Sequence, residues 1–107
     1  MANTYLRLAA LRPADTNEAE LYEVAASQYI VASLTICNQS AVEISYSIAI
    51  TDASGAATDE DWICYSFPIG ANMTHKRNIS IGDGDTIRVK SSSADDISFV
   101  LAGLLIQ

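Results

Sequence analysis

The chain has 107 residues, with 13 acidic and 6 basic side chains and a net charge of −7, and half of it is hydrophobic while only 18% is charged. This length suits one domain with its own core. The acidic balance argues against nucleic acid and anionic membranes as main partners, because both are bound through basic surfaces. The low charged fraction indicates that a partner covers some of the apolar surface.

The sequence predicts a protein that is made and kept in the cytosol. No apolar run approaches the roughly 20 residues that a membrane-spanning helix needs. In the opening "MANTYLRLAALRPAD", Arg7 and Arg12 interrupt what would have to be the apolar core of a signal peptide. Cys37 and Cys64 are therefore interpreted as free thiols, with a disulfide between neighbouring strands as the alternative.

Extended segments separated by turn signals run along the whole chain. The second of them competes with a helix over 15–26, where Asp15 and Glu18 have the spacing of a capping box. Alternation of Tyr22 and Val24 with Glu23 favours the strand. The predicted strands are 4–10, 20–25, 29–38, 42–51, 62–67, 73–81, 86–91 and 97–106.

The segment 42–51, "VEISYSIAIT", alternates without a break, which is typical of a half-buried strand. One side is apolar and the other is small or polar. We interpret the second side as a flat packing surface for a neighbouring subunit, with exposure to solvent as the alternative. That side consists of Glu43, Ser45, Ser47, Ala49 and Thr51.

Two turn signals limit the later strands. Pro68 is expected to end the strand that begins at Trp62, because proline cannot donate to a ladder of hydrogen bonds. "GDGD" at 82–85 predicts a tight turn in which both glycines are free to adopt positive φ.

Eight short strands with no crossover helix predict an all-β fold and exclude parallel βαβ architecture. We expect a single-domain antiparallel two-sheet sandwich over residues 1–107, in the form of an eight-stranded jelly roll. Residues 1–19 either belong to the sandwich or form an extended N-terminal arm.

The last predicted strand is apolar on both faces, so one face needs a cover besides the core. The N-terminal segment of the same chain is one candidate, and a subunit interface is the interpretation that we favour. The basic residues Lys76, Arg77, Arg88 and Lys90 are expected to share one edge or face that docks on a neighbour's acidic cluster, with a solvated surface as the alternative. The last strand's interface positions are Val100, Ala102, Leu104 and Ile106.

Chemistry-bearing motifs are sparse. His75 lies between Thr74 and Lys76, which suggests an exposed strand position, and two separated cysteines with one histidine do not have zinc-site spacing. The sequence therefore predicts no catalytic residue, cofactor or metal. Trp62 and Tyr65, beside the acidic residues 59–61, support a carbohydrate-binding module as an alternative of another class.

Three stretches carry a resemblance: "LYEVAASQYIVASLTICNQS" (21–40), "DWICYSFPIGANMT" (61–74) and "IGDGDTIRVKSSSADDISFVLAG" (81–103). Together they resemble small β-sandwich structural proteins of tailed bacteriophages, over about three quarters of the chain. The group shows a Tyr-x-Val-x-Ala turn, a Pro-Ile-x-Ala-Asn turn and a Gly-Asp-x-Ile-Arg-Val strand. "VAAS" departs from its frequent Val-Pro-Ala.

The resemblance implies a virion structural protein without catalysis, present in many copies. Within that class we favour a capsid decoration (cement) protein that binds the assembled head as a homotrimer. A neck, tail or fibre-base component is the close alternative. The implied partners are the protein itself and a major capsid or other virion protein, without nucleic acid or membrane. The implied location is the virion, after synthesis in the host cytoplasm.

Overall fold

The computed structural model describes residues 3–52 and 56–107. Over these ranges the chain forms eight strands and no helix, and so no helix that is long and apolar enough to span a membrane. The strands are β1 (Asn3–Leu11), β2 (Ala19–Glu23), β3 (Tyr29–Asn38), β4 (Ile44–Thr51), β5 (Trp62–Ile69), β6 (Thr74–Gly82), β7 (Thr86–Ser91) and β8 (Ile97–Ile106).

The strands form two antiparallel sheets of four. Sheet 1 has the order β1-β8-β3-β6 and sheet 2 the order β2-β7-β4-β5. Apart from β4 and β5, consecutive strands lie in different sheets, so the chain winds around the sandwich as it advances. This is the jelly-roll arrangement of eight strands, and it confirms the predicted fold class.

The core lies between the sheets and is built by the inward side of each strand. Phe99 and Leu101 of sheet 1 and Tyr46 and Ile48 of sheet 2 are at most 1% exposed. Full burial of an apolar side chain of this size contributes about 1.5–3 kcal/mol. The remaining large buried side chains are Val24, Ile30, Leu34, Ile36, Ile69, Ile87, Val89 and Ile97.

β2 forms where the sequence left a helix as the alternative. The carboxylate of Asp15 accepts a hydrogen bond from the N–H of Asn17, which closes a turn, and Glu18 pairs with Arg88 of β7. Neither side chain caps a helix. The pairing of β2 with β7 satisfies the backbone groups that a helix would otherwise have satisfied internally.

β5 continues past Pro68 to Ile69, so the prediction that Pro68 ends this strand was wrong. Pro68 lies opposite Ser45 of β4, and β5 is the edge strand of sheet 2. An edge strand needs donors on one side only, so it tolerates a proline.

The predicted turn after β6 is present, but its two glycines differ. Gly84 has φ of 81°, and its N–H donates to the carbonyl of Val24. Gly82 does not have positive φ. It ends β6, and a Cβ added there would lie 2.5 Å from the ring of Tyr29, which covers it.

Residues 3–11, which the sequence left open as part of an arm, form β1 along β8 of the same chain. The ladder contains a bulge between Arg7 and Ala9. The start of the proposed arm, residues 1–2, lies outside the described residues.

Candidate assembly surface on the outer face of sheet 1

An apolar strip crosses the outer face of sheet 1. Because side chains alternate along a strand, the residues between the core positions of β3 and β8 point away from sheet 2. Register places Tyr5 of β1, Leu104 of β8 and Val31 of β3 in one row, and Ile106 beside Tyr29 in the next. We call Tyr5, Tyr29, Val31, Leu104 and Ile106 the apolar strip.

The strip is open to solvent in the single chain. Tyr5 is 79% exposed, Tyr29 56% and Val31 52%, while Leu104 and Ile106 are partly exposed. Monomeric proteins rarely expose contiguous apolar patches beyond a few hundred Å². Tyr5 was not singled out as an interface residue from the sequence. The signal was its spacing of two residues from Arg7, which places the two side chains on the same side of β1.

All four interface positions predicted on the last strand point outward. Val100 and Ala102 continue the line of Leu104 and Ile106 along β8. The N-terminal segment does not cover them, since β1 lies beside β8 within the sheet. The structure thus places these four predicted residues on one continuous surface.

A hollow of about 470 Å³ lies next to Tyr5 on this face. It forms where outward side chains are small, at Ser33 and Ala102, and the hydroxyl of Ser33 donates to Oδ1 of Asn78 at its side. A protruding tyrosine beside a hollow gives the surface enough relief for a partner to interlock with it.

The prediction that Lys76, Arg77, Arg88 and Lys90 share one edge or face was wrong. Lys76 points outward from β6 in sheet 1, whereas Arg77 points inward and stacks 4.8 Å from the ring centre of Phe67. Arg88 and Lys90 lie on β7 in sheet 2. The turn between β6 and β7 is short, as expected, but it crosses from one sheet to the other.

Arg88 is already neutralised within the chain by Glu18. The two side chains form an ion pair and are 16% and 19% exposed, and the same carboxylate accepts the N–H of Ala57 at 2.9 Å. Burial raises the pKa of Glu18, but the bonds from Ala57 and Arg88 outweigh it and hold that pKa below its ordinary value. This pair fixes the segment before β2 against the outer side of sheet 2.

The small-residue side of β4 is not an open packing surface. Ser47, Ala49 and Thr51 are 4%, 0% and 5% exposed. The N–H of Ser66, in a bulge of β5, donates to the hydroxyl of Ser47 at 2.8 Å. Thus this side is covered within the chain itself, and our interpretation of it as a surface for a neighbouring subunit was wrong. Glu43 precedes the strand and is exposed, and Ser45 is partly exposed.

His75 is half-buried rather than exposed, and it faces the interior at the β5–β6 side of the sandwich. Its Nδ1 lies 2.9 Å from the hydroxyl of Tyr46. The rings of Tyr46, Phe67 and His75 pack edge to face, with centres 5.6–5.9 Å apart. Burial raises the pKa of Tyr46, although Arg77 beside it favours the phenolate. The Tyr46 phenol is therefore neutral.

Both cysteines are free, which confirms the prediction: Cys37 is on β3 and the buried Cys64 on β5. Within residues 3–52 and 56–107, no three His, Cys, Asp or Glu side chains are grouped as a metal site requires. Asp83 and Asp85 of the β6–β7 turn accept backbone N–H groups of Ser27 and Gly82.

The residues of the carbohydrate alternative lie together. Asp59, Trp62 and Tyr65 line an open hollow of about 420 Å³. The two rings are 5.4 Å apart and inclined at 71°, so they do not form a common flat platform. Tyr65 is 67% exposed, so its ring is open to solvent.

Comparison with known proteins bears on the fold. No protein-family model matches the sequence, and no curated protein does. The tobacco streak virus coat protein is similar in structure, with a TM-score of 0.57 and 8% sequence identity over 98% of this chain and 86% of that one. The K3 adhesin domain of Lys-gingipain from Porphyromonas gingivalis matches at a TM-score of 0.44 and 10% identity, over 87% and 65% of the two chains. The first likeness supports a jelly-roll sandwich.

Proposed function

We propose that the protein is a non-enzymatic structural subunit of a virus particle. The observation that carries this proposal is the apolar strip. It lies on the outer face of sheet 1, whose inner face already packs against the core. Burial of such an apolar surface against another protein is favourable, because it removes the surface from water. The likeness in fold to a plant virus coat protein supports the same role, because that protein is itself a virion component.

The more specific proposal is a decoration (cement) protein on the head of a tailed phage, made in the host cytoplasm and incorporated into the virion. The resemblance of residues 21–40, 61–74 and 81–103 supports it. In this role the protein stabilises an assembled surface by binding across it in several copies, in the simplest case as trimers. A neck, tail or fibre-base position is the alternative within the class.

We propose that Val100, Ala102, Leu104 and Ile106 contact another protein of the particle, together with Tyr5 and the rest of the apolar strip. Lys76 shares this face. Arg77, Arg88 and Lys90 do not, so they are removed from the proposed contact.

Quantitative mass spectrometry of purified particles tests the proposed role. A decoration protein is present in a fixed ratio to the major capsid protein, whereas a neck or tail component is present at the much lower copy number of the connector. Particles made without this chain are expected to form, and then to rupture at a lower temperature. Absence of the chain from purified particles would overturn the proposal.

Light scattering on a sizing column tests the oligomeric state. A closed assembly of three chains would support the trimer, and a monomer would restrict assembly to the particle surface. The same measurement on the unfolded chain, at the same concentration, gives the mass of a single chain as the reference.

A carbohydrate-binding module is the second candidate, supported by the hollow between Asp59, Trp62 and Tyr65. Its test is a glycan array with the wild-type chain and Tyr65→Ala. Binding that the variant loses would favour this function. No binding by the wild-type chain to any glycan on the array would remove it.

A further inference from the structure

We infer that the outer face of sheet 1 docks on a protein surface that presents carboxylates around an apolar patch, rather than on a second copy of this chain. The inference rests on the proposed function for the source of that partner, which is the assembled particle. It follows from where the charges of the chain lie.

Acidic residues are excluded from this face. The chain has 13 of them among 107 residues, about one in eight. Across the outward positions of β1, β8, β3 and β6 that the structure describes, none is Asp or Glu. The acidic residues lie instead around β2, just before β4 (Glu43), in the segment 52–61, and in the turns that precede β7 and β8.

The charges on the outer face of sheet 1 are both positive. Arg7 of β1 lies opposite Ala102, in the row next to Tyr5. Lys76 of β6 lies opposite Thr35, on the far edge of the sheet. Two cations thus flank the small-residue rows while the apolar strip occupies the other end. An apolar patch with carboxylates at its rim complements this pattern in both polarity and sign.

The same face of a second copy does not offer that complement. Face-to-face packing would join two apolar strips, but it would place Arg7 and Lys76 against a surface without carboxylates. Cations that lose water without gaining an anion oppose binding. Stacking on the acidic segment around β2 of another copy fares no better, because no large apolar side chain is exposed in that segment. Such head-to-tail stacking closes into a ring only for particular rotations between copies and otherwise continues as a filament.

The test measures binding of the purified chain to heads isolated from particles that were assembled without it. Tyr5→Ser removes the most exposed ring of the strip from an edge strand, and Arg7→Glu and Lys76→Glu reverse the two charges. Lys90→Glu is the matched control, because it makes the same charge change on β7 of sheet 2. Circular dichroism and a thermal melt confirm that each variant folds.

Tyr5→Ser is expected to weaken binding by about tenfold or more, as for an anchoring aromatic residue. Arg7→Glu and Lys76→Glu are expected to weaken it by about fivefold to tenfold each, with a shallower dependence on salt. The control variant should bind as the wild-type chain does. These results together would support the inference.

Three outcomes would overturn it. If the wild-type chain does not bind heads, the proposed function fails and the inference fails with it. If heads bind the chain but Arg7→Glu and Lys76→Glu match Lys90→Glu, only the inference fails. If the free chain forms a stable oligomer that Tyr5→Ser dissociates, the face belongs to a second copy.

Discussion

The hydroxyl of Tyr46 lies 2.9 Å from Nδ1 of His75 and so joins the two sheets of the sandwich, β4 of sheet 2 to β6 of sheet 1. β5 and β6 are the edge strands of their sheets, and the hydrogen bond lies on the side of the core where they meet. Phe67 packs its ring against both residues. The contact therefore stabilises the side of the sandwich at which the edge strands β5 and β6 lie.

Tyr46→Phe, His75→Phe and the double variant form a cycle that measures this bond. Each single change is expected to lower the free energy of unfolding by about 1 kcal/mol, with more for His75→Phe because the buried hydroxyl then loses its hydrogen-bond partner on His75. The double variant should cost less than the sum of the two. Urea unfolding measures all four proteins, and strict additivity would show that the contact contributes nothing.

Asn38→Asp is expected to destabilise the fold by about 3–5 kcal/mol at neutral pH, as for an unpaired buried charge. Asn38 is fully buried, and its Nδ2 donates to the carbonyls of Val42, Ile69 and Gly70. The introduced carboxylate would face these oxygens, so its folded-state pKa would be raised. The loss should therefore shrink as the pH falls and the group is protonated.

Chemical unfolding of Asn38→Asp between neutral and acidic pH checks this expectation. Asn78→Asp is the matched control, because Asn78 is exposed on β6. It should change stability by no more than about 0.5 kcal/mol. Equal effects of the two substitutions would contradict the role assigned to Asn38.

Gly103→Ala should cost about 1–3 kcal/mol by overpacking the contact between β8 and β3. A Cβ at Gly103 would lie 2.4 Å from the carbonyl oxygen of Val31 and 2.5 Å from Cα of Ala32. These are backbone atoms of a central strand and cannot move aside alone.

Gly70→Ala is the control for this substitution, since its Cβ would meet the flexible side chain of Met73. Thermal melts of both variants provide the comparison. A melting temperature of Gly103→Ala that equals that of Gly70→Ala would show that the sheet can widen at this point.

Glu18→Gln should lower stability by about 1 kcal/mol at neutral pH, because it removes the charge from a partly buried ion pair. The lowered pKa of Glu18 means that its contribution is fully present above its ordinary value of 4.5 and is lost as the pH falls through the folded-state value. The difference between wild type and variant should close in acid.

Unfolding curves at several pH values below neutral measure this closure, with the exposed Glu23→Gln of the same β2 region as control. A difference that stays constant down to the acid limit would show that the Glu18 carboxylate adds no stability through its charge.

Strand positions were largely predictable because they depend on local patterns. The ranges 29–38, 86–91 and 97–106 match β3, β7 and β8 to the residue, since alternating or β-branched runs there end at turn residues. The jelly roll followed from the number and spacing of strands. Alternation alone placed Val100, Ala102, Leu104 and Ile106 on one face of the strand, opposite Leu101.

What failed depended on which sheet each strand enters. Lys76 lies on β6 and Arg88 on β7, and one short turn joins these strands. Nothing in the local sequence shows that this turn crosses between sheets. His75 was expected at the surface because its sequence neighbours are polar, yet an edge strand brings it against Tyr46. Likewise, Ser47 and Ala49 alternate with apolar residues, as residues exposed to solvent do. A bulge in β5 and the ion pair of Glu18 with Arg88 nevertheless cover that side of β4.

The irregular course of β5 has a consequence for crowding. Register shifts interrupt its ladder with β4, Ser66 has φ of 49°, and Pro68 lacks a donor. A strand with these features is a poor template for another strand, so sheet 2 ends at β5. If copies meet along this edge at high local concentration, they do so through side chains, and sheet 2 does not continue into a sheet of the next copy.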